Sequence, residues 1–206
     1  MTDDGLTKGE RTRQAVMDAA YRLFLEKGFS ATSMRQIAEH AGLALGGIYN
    51  HFASKDEIFQ ELIIDRHPYL QIFPVLQRAP GNTTEEFMRN AARMVQEELG
   101  RHPEFIKLMF IEVVEFNGRH FPKLFETIFP MALPLLQRFA SPESGVRQIP
   151  IPQLVRAFMG FIMAFYLTEF LMSEPSLPSV LREMTLEDFM EIFMYGILEP
   201  HNPEHL

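Results

Sequence analysis

Apolar residues recur along this chain at helical intervals, and no segment keeps up a period-two alternation. Val16, Ala19, Ala20, Leu23 and Phe24 stand at i, i+3, i+4, i+7 and i+8, one stripe down a helix face. Thr7 and Glu10 have capping-box spacing at its start and Gly28 follows Lys27 as a stop, so the spacing predicts a helix over 8–27. A second helix starts after Thr32 or Ser33 and runs to about His40, with Ser33 and Gln36 as another capping pair. A third, short one covers about 44–50. A fourth opens at Ser54-Lys55-Asp56-Glu57 and continues through Ile58, Phe59, Leu62 and Ile63. Pro68 and Pro74 are expected to kink or break the chain beyond that helix. Thr83 with Glu86 opens the fifth helix, to about Leu99; the sixth runs from Pro103 to about Phe116, where Asn117-Gly118 stops it. The seventh covers about 120–140, distorted by Pro130 and Pro134. After a loop from Ser141 to Ile149, the eighth starts at Pro150 or Pro152 and reaches about Ser173. Thr185 with Asp188 opens the ninth, which ends before Pro200, and the last residues are expected to fray. The fold class read from this pattern is all-α, with about nine helices.

The stretch from Ile37 to Phe52 is the most specific. It describes two short helices joined by a tight turn at Ala41-Gly42, the second ending in Tyr49, Asn50, His51 and Phe52. That is the build of a helix-turn-helix, whose second helix enters the major groove of DNA. Ile37, Ala38, Ala41 and Ile48 form its joint, and Phe24 and Phe52 close the small core. Tyr49 and His51 sit where the short helix would meet the phosphate backbone, and Lys55 lies in the first turn of the next helix. Arg35, with Thr32 or Ser33, begins the second helix and would reach the opposite strand. The bland alternative is that Tyr49, His51 and Phe52 are core and cap residues; Phe52 reads as core.

Residues 13–59 resemble the N-terminal domain of the TetR family of transcriptional regulators. The resemblance rests on Ala19-Ala20, Leu23-Phe24, Gly28-Phe29, Thr32, Ile37-Ala38, Ala41-Gly42, Gly46, Ile48-Tyr49, His51-Phe52 and Ser54-Lys55 at uninterrupted spacing. It implies that Tyr49, His51 and Lys55 contact phosphates and that the third helix reads bases. One departure stands out: the family usually has Ser or Thr where Ala44 stands, a cap worth about 1 kcal/mol. Ala44, Leu45, Gly46 and Gly47 offer few hydrogen-bond donors, so base contacts are expected to be sparse and partly apolar, with Leu45 near a thymine methyl. Shape and phosphate contacts should carry the rest of the specificity.

Composition changes the picture in two places. The net charge of −8 argues against nucleic acid, yet residues 7–55 hold seven basic and four acidic side chains while residues 56–206 hold twelve and twenty-one. A basic head on an acidic body keeps attraction to phosphate local. Cysteine is absent, which excludes disulfides, thiolate metal sites and a cysteine nucleophile. No secretory signal opens the chain, and the most apolar run, Ala157 to Leu167, is shorter than the ~20 residues that span a bilayer. The expectation is a cytoplasmic protein with no membrane partner, that run being a buried helix.

The domains are expected to be 1–55, a three-helix helix-turn-helix head, and 56–206, a larger helical domain for effector binding and dimerisation. Met and Phe concentrate in the second. Phe105, Met109, Phe110, Val113, Phe116, Phe125, Phe129, Phe158, Phe161, Ile162, Phe165, Tyr166 and Glu169 are candidate walls of an effector pocket, although aromatic stripes at helical spacing are usually core. Glu112, Glu115, Asn117, Arg156, Tyr166 and Glu169 are its candidate polar groups. The eighth and ninth helices are apolar nearly all round, which predicts burial on all faces. The family resemblance implies that these two helices form a four-helix dimer interface, that an apolar or amphipathic effector binds the body, and that the fourth helix passes the change to the heads. No HExxH, Gly-rich phosphate loop, Gly-x-Ser-x-Gly or spaced carboxylate dyad suggests an enzyme, and no cofactor is implied. His201, Glu204 and His205 read as a tail rather than a metal site. The expected function is a ligand-responsive dimeric regulator, more often a repressor in this family, on a palindromic operator. The alternative is a helical dimeric interaction or small-molecule-binding protein that has lost sequence-specific DNA binding.

Overall fold

The computed structural model describes residues 6–101, 104–172, 174–179 and 184–197. Among these the fold is all-helical: α1 (Lys8–Lys27), α2 (Met34–His40), α3 (Leu45–Ile48), α4 (Lys55–Asp65), α5 (Tyr69–Leu76), α6 (Thr84–Leu99), α7 (Phe105–Phe116), α8 (Phe121–Ala140), α9 (Ile151–Met172) and α10 (Leu186–Ile197), with one 3-10 turn at Pro142–Ser144. The tail candidates His201, Glu204 and His205, and the expected end of the last helix, lie outside the described residues.

Local chemistry sets the boundaries. Thr7 accepts from the amide of Glu10 while Glu10 accepts from that of Thr7, and Ser33 and Gln36 repeat the exchange, so α1 and α2 each open on a complete capping box. At α4, Ser54 caps Glu57, but the Glu57 carboxylate reaches one residue further back, to the amide of Ala53 at 2.7 Å. Asn117, at φ +52°, and Gly118 end α7 in the left-handed region. Helix α5 is an addition to the pattern read from sequence. Pro68 caps its start, and Pro74 sits within it without ending it. Likewise α8 runs through Pro130 and Pro134 unbroken.

The chain forms two compact units, residues 1–67 with 107–127, and residues 68–106 with 128–206. The unit that holds the head therefore runs past residue 55 and takes in most of α7 and the start of α8. Its core is the α1 stripe Val16, Ala20, Leu23 and Phe24 against Ile37, Ile48, Phe52, Ile58, Phe59 and Leu62, each 0–1% exposed. Phe116 of α7 closes this core. Its ring lies 4.5 Å from that of Phe29 and 4.7 Å from that of Phe59, centroid to centroid.

The second unit packs α5, α6, α9 and α10 around Ile72, Leu76, Phe87, Ala92, Val95, Phe161, Ile162, Phe165, Leu186 and Met190. Helix α6 is the centre of this group, apolar on one face and charged on the other. Arg89 pairs with Glu85 and Glu191, and Arg93 with Glu187, all at 3.1 Å. These half-exposed pairs fix register more than stability, at roughly 0–1 kcal/mol each.

Helix α9 departs from expectation. Its 22 residues are long and apolar enough to cross a membrane by length and composition, so the run measured from sequence as too short is only part of it. Nor is it buried on all faces: Leu154, Phe161, Ile162 and Phe165 are covered, while Met159, Met163, Phe170 and Leu171 are exposed. Helix α10 buries Leu186, Met190 and Met194 and exposes Ile192 and Tyr195.

Candidate nucleic-acid interface

The turn between α2 and α3 is made by Ala41 and Gly42, the latter at φ +70°, a conformation that an L side chain rarely adopts. The Leu43 amide then bonds back to the Ala38 carbonyl at 2.9 Å, which swings the chain into α3. Ala44 occupies the cap of α3 and makes no side-chain cap bond. The helix spans only four residues, shorter than the 44–50 expected, and buries a single side chain, Ile48.

What remains faces outward. Leu45 and Gly46 are exposed, Gly47 is half-buried, and Tyr49 at the end of the helix is 52% exposed. A side chain added at Gly46 would meet nothing within 4 Å. His51 is half-buried in the following turn, where its amide bonds to the Ile48 carbonyl. Arg35 is exposed on the first turn of α2. Ser33 is exposed too, with its hydroxyl engaged in the capping box.

Two expected phosphate contacts turn inward. Thr32 is 2% exposed, and its hydroxyl donates to the Gly28 carbonyl at 2.8 Å, so it stabilises the α1–α2 loop and offers nothing to a ligand. Lys55 curls back over the Phe29 ring at 4.1 Å and donates to the carbonyls of Phe29 and Thr32, at 2.5 and 2.6 Å. Burial lowers the basicity of its ammonium, and Glu115 pulls the other way. Lys55 thus ties the start of α4 to the loop before α2. Ser30 in that loop also bonds Glu115 of α7.

A residue that the sequence reading passed over, Arg13 of α1, lies across the other end of this surface. Its guanidinium stacks 4.1 Å over the Phe52 ring, donates to the His51 carbonyl at 2.7 Å and pairs with Glu61 of α4. Nothing in the local spacing announces such a contact, because its partners lie 38 and 48 residues away. Behind the surface, Glu112 is fully buried and accepts from both the amide and the Nδ1 of His120, at 2.8 and 2.7 Å. The His120 Nε2 lies 3.5 Å from Asp56, which also holds Arg119.

The expected effector residues divide between the two units. Phe116 belongs to the aromatic core of the head, and Phe161, Ile162 and Phe165 to the core of the second unit, so packing among the protein's own side chains accounts for these four. Phe110, Val113, Phe125 and Glu169 are exposed; Phe105 and Met109 are buried along α7; Phe129 is half-buried. Phe158 and Tyr166 are partly covered against the second unit's core. The Tyr166 hydroxyl is buried and finds no hydrogen-bond partner among the described residues, and burial pushes its pKa well above a phenol's ordinary 10, as it pushes that of nearby Tyr69 up to about 12. Of the candidate polar groups, Glu112, Glu115 and Asn117 lie with the head, and Arg156 is exposed.

A family model for bacterial regulatory proteins of the tetR family matches residues 16–62. The HTH-type transcriptional regulator AcrR of Shigella flexneri is 44% identical over 55 residues, 27% of this chain and 26% of that protein. The chain therefore aligns with about a quarter of that relative's length. Among solved structures, NalD, the secondary repressor of the MexAB-OprM multidrug efflux pump in Pseudomonas aeruginosa, is 25% identical, with a TM-score of 0.67, covering 94% of this chain and all of that one. A tetR-family transcription regulator from Shewanella sp. PV-4 shares the fold at 16% identity, with a TM-score of 0.69, over 91% of this chain and 98% of its own.

Proposed function

We propose, from the match of residues 16–62 to the model of the tetR family of bacterial regulatory proteins, that this chain is a DNA-binding transcriptional repressor that works as a dimer and responds to a small apolar or amphipathic effector. The observation that carries the reading is the outward face of α3: Leu45, Gly46 and Tyr49 stand exposed around a helix anchored by Ile48 alone. A four-residue helix with two glycines enters a major groove closely and reads few base edges. Tyr49, His51, Arg35 and Ser33 supply the flanking phosphate contacts, and groove shape supplies much of the specificity.

The uncovered faces of α9 and α10 support dimerisation. Met159, Met163, Phe170, Leu171 and Ile192 form apolar surface that a second copy would cover. Lipid is the less apt partner for α9, since Arg156, Thr168 and Glu169 are all exposed on it. A two-fold dimer sets two α3 helices about 34–36 Å apart on a palindromic operator. The Tyr166 hydroxyl, without a partner among the described residues, suits the polar end of an effector, whose binding biases the chain between arrangements of different operator affinity. Such a protein acts in the cytoplasm.

The test is selection of genomic fragments by the purified protein, followed by a salt titration on the recovered fragment. Affinity should fall steeply and linearly in log–log form as salt rises. A second reading, a dimeric binding protein without sequence-specific DNA recognition, is favoured by the uncapped Ala44. Recovery of no enriched fragment, with salt-insensitive behaviour on any duplex, would select it.

A further inference from the structure

We infer that Arg13 is a positioning residue for DNA reading: an internal strut that fixes the His51–Phe52 turn at the exit of α3 and touches no phosphate itself. The inference rests on the reading of the head as a DNA reader and assigns a role within it.

One face and both terminal nitrogens of the guanidinium are engaged. One face lies on the Phe52 ring at 4.1 Å, Nη1 donates to the His51 carbonyl at 2.7 Å, and Nη2 meets the Glu61 carboxylate. One side chain of α1 thereby holds the turn after α3 and the middle of α4 together. A planar, forked donor stacks and makes both bonds at once; a lysine ammonium does not. The position of the held carbonyl matters. Carbonyls beyond the end of a helix lack intrahelical partners, and here the Ile48 carbonyl already takes the amides of His51 and Phe52, leaving His51's own carbonyl to Arg13. The His51 ring springs from the same residue, and Tyr49 lies two residues before it. Their pose toward DNA is inherited from this turn. Pairing with Glu61 also neutralises the charge, so the residue adds little to the attraction for phosphate. Exposed Arg35 is the natural contrast.

The experiment measures binding of the full-length protein to a mixed-sequence duplex of about 30 base pairs over a range of KCl concentrations, for wild type, Arg13→Lys, Arg13→Ala and Arg35→Ala. Circular dichroism confirms that each variant is folded at the assay temperature. Amide hydrogen exchange of the free protein is read at residues 49–53. Both Arg13 variants should bind about tenfold more weakly with the wild-type salt slope, as for a contact set held too loosely. Exchange at 49–53 should quicken in both, and lysine should not rescue. Arg35→Ala should instead lower the slope by about one. A slope lowered by Arg13→Ala and restored by Arg13→Lys would make Arg13 a phosphate ligand and overturn the inference. Wild-type exchange at 49–53 in both variants would overturn it equally. If the wild-type protein binds no duplex, the DNA reading falls, while the exchange measurement still decides whether Arg13 is a strut.

Discussion

His67 has 3% of its surface exposed, and burial pushes its imidazole down to about 3 from an ordinary 6.5. The unfolded chain takes up a proton near pH 6.5 that the folded chain refuses until about pH 3. The unfolded state binds more protons throughout that window, so the stability tied to neutral His67 is full above 6.5 and declines as pH falls toward 3. Urea unfolding at pH 6.5 and pH 5.0 should differ by about 2 kcal/mol from this residue, and His67→Leu should flatten the difference. At the same scale, Ala44→Ser is expected to raise stability by about 1 kcal/mol in the same assay, since the extended backbone at this cap (φ −69°, ψ 150°) already suits a serine. That cap was legible in the sequence; the fates of Thr32 and Lys55 were not. Spacing places a residue on an element, but the inward curl of Lys55 depends on the Phe29 ring and two carbonyls from a loop more than twenty residues earlier. A free-standing lysine and a tethered one have the same sequence.

Helices α1, α2, α4 and α6 begin where their capping residues put them, because a cap is a local contact that the sequence spells out directly. Helix α5 was hidden by its prolines. Pro74 lacks the amide that would bond to the Leu70 carbonyl, which costs the helix one bond, but Ile72 and Leu76 on the same element are buried in the second unit's core. Tertiary burial outweighs the lost bond, and no local signal reports that burial. Helix α9 shows the converse: its composition reads as buried all round, yet one chain covers only part of it. Composition does not say what covers the rest, and a second copy is the cover we propose. Ile192, 66% exposed on α10, tests this element-scale reading. Ile192→Glu should leave the melting of the monomeric fold nearly unchanged and weaken dimerisation about a hundredfold or more, as burying an unpaired carboxylate in an interface does. Light scattering at micromolar concentration that still reports a dimer would exclude α10 from the interface.

For the molecule as a whole, charge and connectivity run on different boundaries. The basic excess ends near residue 55, whereas the compact unit around the head continues to residue 67 and returns for residues 107–127. Charge is a property of contiguous sequence and was read from it; a segment that rejoins a core forty residues later was not. Phe116 is the measure of that return, with its ring against both Phe29 and Phe59 and 9% exposed. Phe116→Ala should cost about 3–5 kcal/mol in urea unfolding, a loss expected of a buried aromatic ring. Glu115 and the Glu112–His120 pair reinforce the same segment. Anyone transplanting this head into a hybrid protein would cut at residue 55, where the charge boundary invites it, and would graft a head with an open aromatic socket. The transplant should carry residues 107–127 along, or the recipient must bring an aromatic side chain of its own to fill the place between Phe29 and Phe59.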